Sequence, residues 1–142
     1  MDPRDFHALA VRLSSSSSPS DLRTAVSRSY YAVFNVGATH LRGMGFSVGK
    51  GAAAHGEIQK CLNNCGDPAA MAVATELNDL HGARNRADYQ LDRPEPENRA
   101  NVLGIVTQAG NQIRSLDTSF QGPERARIRL AIQNWRRNNG YP

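Results

Sequence analysis

The sequence predicts an all-α fold: one domain built as an up-and-down bundle of about five to six helices. Three observations predict it. Apolar residues recur at three- and four-residue steps in segment after segment, the period of one helix face. Nowhere does the chain sustain the apolar–polar alternation of a half-buried strand. Capping residues followed by proline alternate with glycine-rich stops, which is the punctuation of helices joined by short connections. A chain of 142 residues holds a single core, and no internal repeat divides it.

The elements follow in order. Asp2-Pro3 opens a short first helix with the stripe Phe6, Leu9, Ala10 and Leu13. Ser14 to Ser18 are low-complexity and polar, so residues 14–19 are expected to form a flexible linker. Ser20 is placed to cap a longer second helix, with Leu22, Val26, Tyr30, Val33, Gly37 and Leu41 on one side and Gly43 and Gly45 at its end. Phe46 to Gly51 is a loop, and a third helix runs from about Ala52 to Asn63, before Gly66.

Asp67-Pro68 repeats the cap-plus-proline start, and the fourth helix reaches about Leu91 before Pro94 and Pro96 break the chain. From about Glu97 a fifth helix aligns Val102, Ile105, Val106, Ala109, Ile113 and Leu116. Gly122-Pro123 starts a sixth, with Ile128, Ala131, Ile132 and Trp135 inward, arginines outward, and a stop near Gly140.

Composition excludes some classes. Hydrophobic residues are 39% and charged residues 21%, ordinary for a globular protein. No apolar run approaches the roughly 20 residues needed to cross a bilayer. The charged N-terminal stretch MDPRDFHALAVRL lacks the plan of a signal peptide, so a cytoplasmic protein without membrane contact is expected. The formal charge is +4, and five arginines from Phe120 onward (Arg125, Arg127, Arg129, Arg136 and Arg137) against Glu124 account for all of it. A basic end suits an anionic partner such as RNA or an acidic protein; it also suits a solvated face.

Cys61 and Cys65 sit i, i+4 in a helix. A closed zinc site needs about four ligands and there is no second cysteine pair, so reduced thiols are expected and no metal or other cofactor. His55 could join the cysteines only through an accident of folding, or across a dimer.

Two stretches concentrate chemistry: Ser27-Arg28-Ser29-Tyr30-Tyr31-Ala32-Val33-Phe34-Asn35 and His81-Gly82-Ala83-Arg84-Asn85-Arg86-Ala87-Asp88-Tyr89. On a helix His81, Arg84 and Asp88 share a face, and Arg84 can pair with Asp88 at i, i+4. Bordering a groove, such a guanidinium can grip phosphate through two parallel hydrogen bonds, with Asn85 and Tyr89 offering further donors. The same spacing equally serves a polar network that sets helix register.

The pair SRSYYAVFN and RNRADY, each on a long helix, resembles the HEPN superfamily of prokaryotic helical domains, in particular the small stand-alone proteins with an R-x-x-A-D-Y signature. The likeness spans about Leu22 to Leu116, within a core expected over residues 20–117; the first helix and the basic helix at 122–140 are additions. It implies a dimer in which two Arg-bearing helices meet at a shared cleft. Many such proteins are metal-independent RNases, often toxins paired with a nucleotidyltransferase-like antitoxin or parts of phage defence. Their arginine stabilises charge on the scissile phosphate, and a histidine four to six residues later assists attack by the ribose 2′-hydroxyl.

Arg84 matches that arginine, but Tyr89 stands where histidine would, and no histidine follows His81. Asp88 is ionised at neutral pH and Tyr89 is a weak base, so His81, one turn earlier, is the candidate imidazole. The expected catalytic set is therefore Arg84, Tyr89, Asp88 and His81, with RNA bound by Asn85, Arg86, Arg28, Arg125 and Arg129. Two other readings stay open: a non-catalytic module binding RNA, a nucleotide or a protein partner through the same groove, and a plain scaffold. Tyr30, Tyr31 and Phe34 put aromatics on more than one side of the second helix, which favours burial of one side against a neighbouring subunit; the other reading is that both faces are buried inside one bundle.

Overall fold

The computed structural model describes residues 1–141. Among these residues there are six α-helices and no strand: α1 Arg4–Leu13, α2 Pro19–Gly43, α3 Ala54–Asn63, α4 Pro68–Tyr89, α5 Arg99–Gln121 and α6 Arg125–Asn138. A single 3₁₀ turn, Glu95–Glu97, lies before α5. The fold is an all-α bundle, as the periodicity required.

Helix α2 is the axis of the bundle, and side-chain contacts give the directions around it. Arg4 near the start of α1 reaches Asp117, which also meets His40 near the end of α2, so α1 runs antiparallel to α2. Ser27 of α2 meets Asp88 of α4 while Tyr31 meets Arg84, which makes this pair antiparallel as well. Asp67 meets Ser119, and Ala87 packs with Val102, so α4 and α5 are antiparallel. Helices α1, α2, α4 and α5 therefore alternate up and down. Helix α3 packs on α4, and α6 seals one end with Ile128 and Ile132.

Two clusters form the core. The larger gathers Val33, Leu41, Ile58, Leu62, Leu77, Leu116, Phe120, Ile128 and Ile132 around the α6 end; the smaller gathers Ala10, Leu22, Val26, Ala87, Val102 and Val106 around the other. Truncating a fully buried Leu or Phe in such a cluster costs about 2–5 kcal/mol. Gly37 lets α2 and α3 close up, since a Cβ there would sit 3.3 Å from Ile58 Cγ2.

The helix ends show where local chemistry agrees with the sequence. Asp67 Oδ2 accepts from Ala70 N at 3.0 Å, a side-chain N-cap, with Pro68 in the first turn. Asn98 caps α5 by accepting from Asn101 N at 3.0 Å. At the end of α2, Gly45 has φ +91 and donates to Arg42 O, while Phe46 N donates to Leu41 O; this paired arrangement is a Schellman stop.

Four expectations need correcting. Helix α2 starts at Pro19 rather than after Ser20, because proline's fixed φ suits the first helical turn. Helix α3 starts at Ala54, after a turn closed by Ala54 N on Gly51 O. Residues 14–18 join α1 to α2, where Ser14 Oγ donates to Val11 O at 2.7 Å, Ser15 Oγ to Arg12 O at 2.9 Å and Ser16 Oγ to Asp21 Oδ2 at 2.7 Å. The serines satisfy the last carbonyls of α1 and pin the turn into α2.

Helix α4 ends at Tyr89 rather than Leu91, because Arg23 of α2 takes its terminal carbonyls. One guanidinium donates to the backbone oxygens of Arg86, Ala87, Gln90, Leu91 and Arg93 and to Glu97 Oε2. Finally, not every arginine of α6 faces outward. Arg136 is 4% exposed, since it follows Ile128 and Ile132 at four-residue steps on the inward stripe.

Candidate functional site

The antiparallel contact of α2 with α4 brings the two chemistry-bearing stretches face to face. Ser27 and Tyr31 lie one turn apart on α2, opposite Asp88 and Arg84 one turn apart on α4. Arg84 is the hub. Its Nε lies 2.9 Å from Asp88 Oδ2, an ion pair whose N–H points off the line to the oxygen. Its Nη1 donates to Asn85 Oδ1 at 3.1 Å and its Nη2 to Tyr31 Oη at 2.8 Å, with Tyr89 Oη at 3.5 Å. The rings of Tyr30, Tyr31 and Tyr89 surround it, with centroids 5.9, 5.3 and 5.3 Å from Cζ.

Burial works against the Arg84 charge, but Tyr31, Tyr89 and Asp88 outweigh it and hold the pKa above its ordinary value. The site therefore presents a permanent cation in one fixed orientation. Asp88 is occupied, accepting from Ser27 Oγ at 3.1 Å while pairing with Arg84. The same carboxylate oxygen thus ties Ser27 of α2 to Arg84 of α4.

Beside Arg84 opens a groove of about 370 Å³, lined by Tyr30, Tyr31, Phe34, the Lys50–Ala52 loop, His55 and His81. Within it the His55 and His81 rings stack, with centroids 4.0 Å apart and planes at 25°. Tyr30 Oη and His55 Nδ1 share a hydrogen bond of 3.1 Å. Burial pushes the Tyr30 phenol up to about 12 against the opposing pull of Arg84, so its oxygen keeps its proton. Burial, and then the His81 imidazole, hold His55 below its ordinary 6.5 despite the Asn78 side chain; burial, and then the Arg84 charge, do the same for His81. Both rings are thereby held toward their neutral form.

The structure thus gathers His81, Arg84, Asn85, Asp88 and Tyr89 at one place. Arg28 stands next to them, its Cζ 4.7 Å from the Tyr31 ring and 5.2 Å from that of Phe6. Arg86 does not join: two residues beyond Arg84, it turns to a separate hollow with Val26, Ala83 and Arg93. Arg125 and Arg129 lie elsewhere again, donating to the carbonyls of Gly43 and Met44. Gly43 is twelve residues beyond Tyr31 on α2, or about 18 Å along the helix axis. There they neutralise the negative end of α2 instead of lining the Arg84 groove.

The sequence alone named none of His55, Tyr30, Tyr31, Ser27 and Lys50 as residues of this site. For Ser27 and Tyr31 a signal existed: their i, i+4 spacing within SRSYYAVFN puts them on one face. For His55 there was none, because only the packing of α3 on α4 carries it to His81. It does not join the cysteines; Cys61 and Cys65 are free and buried. Tyr30, Tyr31 and Phe34, whose spread favoured a neighbouring subunit, meet one another and the groove of their own chain.

A charged guanidinium, two neutral imidazoles and several phenols around one groove suit a phosphate diester: the cation binds its oxygens and the imidazoles move protons. No protein-family model, curated protein or solved structure matches the chain.

Proposed function

We propose that the protein is a metal-independent endoribonuclease of the HEPN type, acting on RNA as a dimer in a toxin or defence role. The observation that carries this reading is the placement of Arg84, fixed by Asp88, Tyr31 and Asn85, beside the stacked His55–His81 pair. His55 answers the objection the sequence raised. The imidazole missing after Arg84 is supplied from α3, with His81 as its neighbour.

In this reading Arg84 holds the scissile phosphate. One imidazole takes the proton of the ribose 2′-hydroxyl as that oxygen attacks phosphorus, and the bond to the 5′-oxygen breaks. The other imidazole, protonated beforehand, gives its proton to the departing oxygen, leaving a 2′,3′-cyclic phosphate and a free 5′-hydroxyl. One proton is taken and one returned. Acid–base assistance of this kind contributes about 10²–10⁴-fold, and a preorganised cation at the developing charge adds a comparable factor.

One observation favours a second reading, a module that binds RNA, a nucleotide or a nucleotidyltransferase-like antitoxin without cleaving. Most of Arg84's donors already have partners within the chain, as expected of a rigid binding fork. Total RNA incubated with the full chain in excess chelator separates the two. Cleavage that Arg84→Ala abolishes supports the nuclease; intact RNA, with a folded dimer that retains RNA through Arg84, replaces it with the binding module.

A further inference from the structure

The larger anomaly in this chain lies just beyond the C-terminal end of α2, away from the Arg84 groove at the middle of that helix. Arg136 is 4% exposed, yet among the described residues no carboxylate pairs with it, nor with Arg129 or Arg137. Its Nη2 donates to Ser47 O at 3.3 Å and its Nη1 meets Cys61 Sγ at 3.7 Å, while Nε is buried without a partner. Burial pushes the Cys61 thiol up, against the opposing pull of Arg136, so that sulfur is neutral and supplies no counter-charge. Glu57, one turn earlier on α3, accepts from Gly49 N instead. A buried cation without an anion is costly, since the interior solvates it far less well than water does.

The same guanidinium forms part of a groove of about 350 Å³ that also takes in Met44, Phe46, Arg129, Arg137 and Tyr141. The Phe46 and Tyr141 ring centroids lie 5.5 and 5.1 Å from its Cζ. Arg129 is tethered through Nε to Met44 O, which leaves its terminal amino groups free to turn toward the groove. Three guanidinium groups, no carboxylate among the described residues and aromatic walls make a cationic groove with room for more than an inorganic ion.

We infer that this groove is a second phosphate site, taking a phosphate carried by a nucleotide. The guanidinium forks match the oxygens of a phosphate, and the aromatic walls offer apolar surface to a ribose or base. The site is independent of the Arg84 groove and of any cleavage there.

The sole tryptophan, Trp135, packs against Tyr141 in a tilted arrangement, ring centroids 5.2 Å apart, and reports this groove locally. The test follows its fluorescence in the full chain carrying Arg84→Ala, which silences the other groove, during titration with inorganic phosphate, AMP, acetate and a short RNA. The expected result is a saturable change with AMP, a weaker one with phosphate and none with acetate. In the same background Arg129→Gln with Arg137→Gln should weaken AMP at least about tenfold, which corresponds to about 1.4 kcal/mol. Both side chains are exposed, and circular dichroism checks the fold; Arg137→Gln alone, which removes no hydrogen bond among the described residues, is the milder variant. No saturable change, an equal response to acetate, affinity unaltered in both variants, or a response to RNA alone would each overturn the assignment.

Discussion

The imidazole rings of His55 and His81 stack 4.0 Å apart although they belong to different helices. Two imidazoles so close resist carrying two charges, so the first proton bound makes the second harder to bind. A pair of this kind holds one proton and one vacancy on the acid side of neutrality. That is the state a reaction needs when it must withdraw one proton and deliver another.

If the pair moves the protons, His55→Gln and His81→Gln should each lower the initial rate of chelator-resistant RNA cleavage by about 10²-fold or more. Rates measured at one RNA concentration with matched circular dichroism would show this. Unchanged rates in both variants would take the pair out of the mechanism.

The same rings make stability depend on pH. Both folded values lie below the ordinary 6.5, so between that value and the lowered ones the unfolded chain binds protons that the folded chain refuses. Their stabilising contribution is complete above 6.5 and is lost as pH falls through the folded values. The urea midpoint should therefore drop between about pH 7.5 and about pH 5.5, and His55→Gln should flatten that drop. A cleavage rate governed by the pair should be bell-shaped, with its optimum below pH 6.5.

Tyr31→Phe keeps the ring over Arg84 but deletes the oxygen 2.8 Å from Nη2. Cleavage should fall about tenfold while stability changes by about 1 kcal/mol or less. Denaturation and kinetics on one preparation would separate the two effects; a large stability loss would mean that the contact is architectural.

Arg23→Met is the contrasting case: Arg23 does not line the groove but anchors the C-terminal end of α4. It removes one hydrogen bond from each of five backbone carbonyls and from Glu97, although those of Arg86 and Gln90 keep a backbone N–H partner. Such a loss should lower unfolding free energy by about 3 kcal/mol in urea titrations.

Dimerisation has a clear surface candidate. Tyr89 and Leu91, at the end of α4, are 71% and 72% exposed. Light scattering at micromolar concentration should give twice the chain mass, with Leu91→Ser shifting the protein toward monomer. A wild-type monomer would exclude a cleft shared between two subunits.

Much of this molecule could be read along the chain. The stripes of α2 and α5, the Asp67-Pro68 start and the glycine stop after Gly43 follow from residues within a few positions of one another, and local spacing reports local geometry. The pairing of Arg84 with Asp88 was legible for the same reason. The end of α4 was not, because Arg23, more than sixty residues away, takes the carbonyls that decide it. The inward course of Arg136 was partly legible in its spacing from Ile132; what it touches, Ser47 and Cys61, was not.

By itself the sequence determined helix count, helix order and which residues share a face, since a period of 3.6 residues acts through neighbours along the chain. Only the tertiary structure decided which faces meet. Packing places His55 against His81, Tyr31 against Arg84, and the arginines of α6 on the carbonyl end of α2 rather than along one basic stripe. These are contacts between helices, set by side-chain packing and by hydrogen bonding at helix ends, and no spacing within a single helix encodes them.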